Sequence, residues 1–121
     1  MLPKLRLEEQ KLTKKAFDEL LVEAVDEALA SLGDSAKQAI YFHLEDKFRI
    51  SRNEIPQHLE DFTDGLHKIF GMGAQFLEIL IMKHLHERIG SSFKWIEGKE
   101  LAFIEYVTAA KGSFLKRRKR S

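Results

Sequence analysis

Five histidines, nineteen carboxylates and one run of five cations are the side chains of this sequence with chemistry to offer. His84 and His86 stand two apart in a segment of helical spacing. Their imidazoles project about 200° apart around the axis and cannot share a metal as an i, i+4 pair does. His43, His58 and His67 fall on other segments, so no metal or other cofactor is assigned. Glu45-Asp46 and Glu60-Asp61 are adjacent pairs whose side chains diverge on a helix, the pattern of a solvated face rather than an acid-base couple. Gly71-x-Gly73-Ala74 opens a helix and offers backbone N–H groups of the kind that hold phosphate. No strand precedes it, and a tight helix-to-helix turn accounts for it better. The chain carries no nucleophile turn of the Gly-x-Ser-x-Gly type, no phosphate loop with its lysine and no zinc-hydrolase helix. With no cysteine, thiolate metal sites, disulfides and cysteine nucleophiles are excluded. No residue is assigned to catalysis, and the chain is expected not to be an enzyme.

The sharpest departure from average composition is Lys116-Arg117-Arg118-Lys119-Arg120. The net charge of +1 hides it, because the residues before this run carry −4 between them. Such density suits phosphate neutralisation, an anionic lipid or an acidic protein groove, and it equally suits a solvated tail that keeps the protein soluble. The helix richest in aromatics is mixed in charge, unlike a major-groove reader, so nucleic acid bound here, ribosomal RNA included, is expected to be bound without sequence readout.

These groups need elements to position them, and the elements are helical. Phe17, Leu21, Ala24, Val25, Ala28 and Leu32 recur at steps of three and four and predict a helix over about 13–32. Residues 1–12, with Leu5, Leu7 and Leu12 among charges, either extend that helix or fray. Gly33 ends it, Asp34-Ser35 supplies the next N-cap, and Ser35-x-x-Gln38 has the form of a capping box. The second helix, 36–48, places Ile40, Tyr41, Leu44 and Phe48 on one face. Phe42 points elsewhere, so either a further layer of the domain covers it or a partner does. Ser51-x-x-Glu54 is another capping box, and Pro56 suits a fresh helical start. Leu59, Phe62, Leu66, Ile69 and Phe70 then make a stripe as far as Gly71. Gly65 within it costs about 1 kcal/mol against alanine, which implies close packing or simple tolerance.

The helix 74–89 is apolar around nearly its whole circumference through Phe76, Leu77, Ile79, Leu80, Ile81 and Met82, and must be covered on most sides. It is the expected centre of the bundle, or the seam of a dimer. Phe93 to Glu97, with Trp95, is the one place where a strand is allowed. Lys99 to Phe114 returns to helical spacing, with Phe103, Val107, Ala110 and Phe114 on a stripe and Tyr106 at its edge. Beyond Leu115 the basic run lacks an apolar face and is expected to stay mobile unless something acidic holds it.

The stretch Ala39-Ile40-Tyr41-Phe42-His43-Leu44-Glu45, then Ile55-Pro56, then Phe62, Leu66 and Ile69 to Ala74, resembles a family of small archaeal helical domains. Members stand alone or serve as output domains of two-component regulators in ammonia-oxidising archaea. The likeness covers about 21–114. It implies a helical fold, an archaeal source and a regulatory or interaction role, and carries over no catalytic residue. An attached receiver or sensor domain, as in the multidomain members, is not expected here.

At 121 residues, 44% apolar and 32% charged, one domain with one core is expected: 13–115 with the basic tail 116–121. The fold class is an all-α bundle of four to five helices around a central apolar helix. The most apolar stretch, Ile69 to Met82, is short and broken by Glu78, and the start lacks a signal core, so neither a membrane span nor export is expected and the location is cytoplasmic. The expected function is that of a regulatory or adaptor domain that binds another protein and forms a homodimer, with Phe42, Trp95 and Tyr106 as anchors. The alternative is an accessory factor for nucleic acid or the ribosome that uses Lys116, Arg117, Arg118, Lys119 and Arg120.

Overall fold

Apolar residues at helical spacing become helix wherever the structure describes them. The computed structural model describes the backbone of residues 3–89 and 103–120 and the side chains of 12–89 and 103–116. Five helices follow one another: α1 (Pro3–Ala30), α2 (Asp34–Phe48), α3 (Leu59–Phe70), α4 (Ala74–Ile89) and α5 (Phe103–Arg120). Two 3-10 segments, Arg52–Gln57 and Gly71–Gly73, make the corners on either side of α3, and no strand occurs among the described residues. Phe93 to Glu97, where a strand was allowed, lies outside the described residues, and Trp95 with it.

The helix ends show which local signals prevailed. Pro3 opens α1, a position where its fixed φ and missing N–H cost nothing, so the amino-terminal segment extends the helix. α1 stops at Ala30, two residues before Leu32. The Leu32 N–H donates to the Leu29 carbonyl at 3.0 Å and the Gly33 N–H to that of Ala30 at 2.9 Å, tightening the chain into a turn. Gly33 has φ +106°, a backbone that favours glycine, and it is itself the N-cap of α2, its carbonyl accepting from the Lys37 N–H at 3.0 Å. The expected Ser35-Gln38 capping box is therefore not formed. Ser35 already lies inside the first turn, and no side chain caps α2. The second box does form, with the Glu54 carboxylate accepting from the Ser51 N–H at 3.2 Å and its hydroxyl at 2.6 Å. It opens the 3-10 segment that contains Pro56, and α3 starts only afterwards, at Leu59. At the other end, the basic run continues α5 to Arg120 instead of leaving the helix as a tail.

α1 and α4 are the central pair. Phe17, Leu21, Val25 and Leu29 of α1 and Leu77, Ile81, Leu85 and Ile89 of α4 are buried in one core with Ile40, Leu44, Ile55, Phe62 and Leu66 and with Phe103, Val107 and Phe114 of α5. Polar contacts give the directions. His84 lies 2.9 Å from Glu27, and Arg88, one turn later on α4, reaches Glu23 at 3.4 Å as well as Glu27, so α4 runs antiparallel to α1. His67 approaches Glu78 at 3.2 Å across the α3–α4 hairpin. Lys111 stands 3.9 Å from Asp18, and Phe114, one turn later, packs on Phe17 with ring centroids 5.7 Å apart. The later residue of α5 meets the earlier residue of α1, so α5 too runs antiparallel to α1.

Gly65 is a close-packing position. A Cβ there would lie 2.9 Å from Leu44 Cδ2 and 3.3 Å from the Phe48 ring, and Leu44 is fully buried, so one of the two side chains must shift. Gly112 of α5 faces open space. The same substitution is thus expected to have opposite signs at two helical sites. Gly112→Ala should raise stability by about 0.5–1 kcal/mol through helix propensity. Gly65→Ala should lower it by about 1 kcal/mol, the overpacking of α2 against α3 outweighing the same propensity gain. Urea denaturation of the two variants measures both.

Candidate interaction surface

The structure separates the three aromatics expected to act as anchors. Phe42 is 68% exposed on the outer side of α2, its ring making an edge contact with His43, 6.4 Å between centroids. No described element covers it. Tyr106 is 1% exposed and belongs to the core, so it is not available as a docking residue. The reason is the width of the buried face of α5. That helix packs against both α1 and α4, which brings the edge of the Phe103 stripe under cover as well as its centre. Burial pushes the Tyr106 phenol up to about 12. Trp95 falls outside the described residues. Lys116 is exposed near the end of α5, and Arg117, Arg118, Lys119 and Arg120 follow it on the same helix.

Most of the polar groups with structured partners are spent on holding helices to α1. Asp26 accepts from the Tyr41 hydroxyl at 2.5 Å and from Arg52 Nε at 2.9 and 3.1 Å, joining α2 and the Arg52–Gln57 segment to α1. Burial opposes the ionisation of Asp26. The hydrogen bonds from Arg52 and Tyr41 and the charge of Arg52 outweigh it, and the carboxyl is held below its ordinary range. Glu27 takes a hydrogen bond from Arg88, which lowers it in turn. Eight residues before Asp26, Asp18 accepts from Gln57 Nε2 at 3.0 Å, and its Oδ1 is buried without a hydrogen bond, Lys111 standing 3.9 Å away. Here burial prevails, and the Asp18 carboxyl sits above its ordinary value despite Lys111 and Gln57. An open groove of about 450 Å³ runs over this seam, lined by Lys15, Asp18, Glu19, Arg52 and Gln57 among others. Of its charged residues, Asp18 and Arg52 belong to the ties just described. Among the described residues no three histidines or carboxylates gather as metal ligands, and no helix is long and apolar enough to cross a membrane.

The helix 74–89, expected to be the centre of the bundle or the seam of a dimer, is covered on one side only: Met72 in the turn before it is 96% exposed, Phe76 62% and Ile79 48%. The step of three places Phe76 and Ile79 on one side of α4, and Met72 stands exposed in the 3-10 corner just before that helix. The signal was present in the sequence as an apolar helix with more faces than neighbours to cover them.

Compared with protein-family models, with curated proteins and with solved structures, the chain matches none. Its surface therefore carries the functional reading.

The two α1 aspartates titrate in opposite senses, and stability against pH reports it. Asp26 has a depressed pKa, so its contribution is present above the ordinary carboxylate range and is lost as pH falls through the folded value. Asp26→Asn should lose stability at pH 7 and converge on the parent protein near pH 3. Asp18 has a raised pKa, so its ionised form opposes folding. Asp18→Asn should gain stability at pH 7, the gain fading as pH falls. Urea midpoints at the two pH values test both signs.

Proposed function

We propose that this chain is a non-enzymatic interaction domain that works by pairing its α4 surface with protein, first of all with a second copy of itself. The observation that supports the reading is the exposure of three large apolar side chains close together, Phe76 and Ile79 on one side of α4 and Met72 in the turn that leads into it. Fully burying such a side chain contributes about 1.5–3 kcal/mol, while association costs at least about 4 kcal/mol in lost freedom. A one-sided contact with this patch is therefore marginal. A two-fold pairing counts the patch twice and exceeds the cost, which favours a symmetric dimer. Phe42 on α2 is a separate exposed aromatic and offers a second anchor for another protein. The regulatory role is the finer part of this reading and rests on the family likeness of the Ile40 to Ala74 motifs.

Light scattering after size exclusion is expected to give a dimer mass in the micromolar range, unchanged by raising salt because apolar burial drives it. Phe76→Asp with Ile79→Asp should give monomers of unaltered helical content, since neither side chain contributes to the core. A parent protein that stays monomeric up to the highest soluble concentration would overturn the dimer.

A further inference from the structure

The antiparallel packing of α5 on α1 brings together two sets of cations a hundred residues apart in the chain. Lys111 at Asp18 and Phe114 on Phe17 fix the register. Exposed Lys14 and Lys15 lie within one turn of Phe17, and exposed Lys116 within one turn of Phe114. From that contact α1 continues back to Lys11 while α5 continues on to Arg120, each covering about 9 Å in six residues on axes about 8–10 Å apart, and α1 runs on beyond to Arg6 and Lys4. Residues 3–15 and 111–120 hold eleven lysines and arginines and two glutamates, a charge of +9, and the rest of the chain carries −8. Helix stability does not account for this. Cations at the end of α5 suit its dipole, but α1 has no acidic residue in its first turn and bears Lys4 and Arg6 there, where cations oppose the dipole.

We propose that this end of the bundle is a binding site for the phosphate backbone of a nucleic acid, contacted by cations of α1 and α5 together. Three features support that occupant. A polyanion that meets only this end avoids the −8 of the remainder, whereas an anionic bilayer as wide as the molecule would be repelled by it. Leu12 is the only large hydrophobic exposed among the described side chains here, too little for a face that seats in lipid. Phe17 and Phe114 are both buried, so no described aromatic at this end is free to stack on bases. Binding therefore depends on phosphates and not on sequence, and falls steeply with salt.

The test is fluorescence anisotropy of the full chain with an end-labelled RNA duplex of mixed sequence, a second duplex of unrelated sequence and phosphatidylserine-containing vesicles in parallel. Both duplexes are expected to bind equally and to lose roughly a hundredfold in affinity over a fourfold rise in salt, the behaviour of about four phosphate contacts. Lys14→Gln with Lys15→Gln should weaken binding about tenfold and lower the salt slope by one to two contacts. Glutamine at all five positions from 116 to 120 should do at least as much, and both sets together should abolish binding. Glutamine keeps the helix propensity of lysine, and Lys14→Arg with Lys15→Arg should bind like the parent. Loss confined to the 116–120 variant, affinity insensitive to salt, or tighter binding to the vesicles than to either duplex would each overturn the shared nucleic-acid site.

Discussion

Everything else in this fold is arranged along the buried face of α1. Phe17, Leu21, Ala24, Val25, Ala28 and Leu29 form one continuous apolar stripe over three and a half turns, and α2, the first 3-10 segment, α4 and α5 all dock on it. Its polar shoulders are equally occupied: Asp18, Glu23, Asp26 and Glu27 each bond or pair with a residue from another element. Because burial is non-directional, the apolar stripe provides the stabilisation without choosing among registers. The aspartates and glutamates choose, since each meets particular partners at one height along α1.

Length is the second constraint. α1 has 28 residues and spans about 42 Å, while α4 has 16 and spans about 24 Å. With α4 antiparallel and its Arg88 level with Glu23 to Glu27, the first half of α1 lies past the end of α4. Among the described elements, α5 and the Arg52–Gln57 segment reach α1 at Asp18, next to which Lys14 and Lys15 stay exposed. The same mismatch, in reverse, leaves the start of α4 with fewer neighbours than its apolar residues call for.

Local signals in the sequence were therefore more legible than the surfaces that follow from tertiary placement. The helical stripes of α1, α3 and α5 and the glycine breaks at Gly33 and Gly71 could be read from spacing alone, because they depend on residues within two turns of each other. The Ser35 box failed since Gly33 took the N-cap, a choice between two adequate caps that spacing does not decide. Tyr106 was misplaced for a different reason. A residue 60° from the centre of a stripe is buried or exposed according to how many helices pack on that stripe, and α5 has two. Phe76 and Ile79 show the converse, apolar residues left bare because nothing in the described fold reaches them. The joining of Lys14 and Lys15 with the run from Lys116 was beyond any linear reading, since only the register of Phe114 on Phe17 brings them to one end.

The two proposed surfaces lie at opposite ends of the bundle, and this bears on how they would work together. α4 starts toward the carboxyl end of α1, so the Met72–Phe76–Ile79 patch is far from the Lys14 and Lys116 end, separated along α1 by about 24 Å. Each basic end carries about +9, and two of them held close would repel strongly. A two-fold dimer formed through the α4 surface with its axis across the helices would keep them at opposite poles, with the acidic remainder of both chains between. Apolar pairing and phosphate binding are then compatible in one particle, and the dimer would display two outward basic sites. Bivalent contact with one long polyanion follows from that geometry, at an effective concentration set by a rigid spacing rather than by a flexible linker.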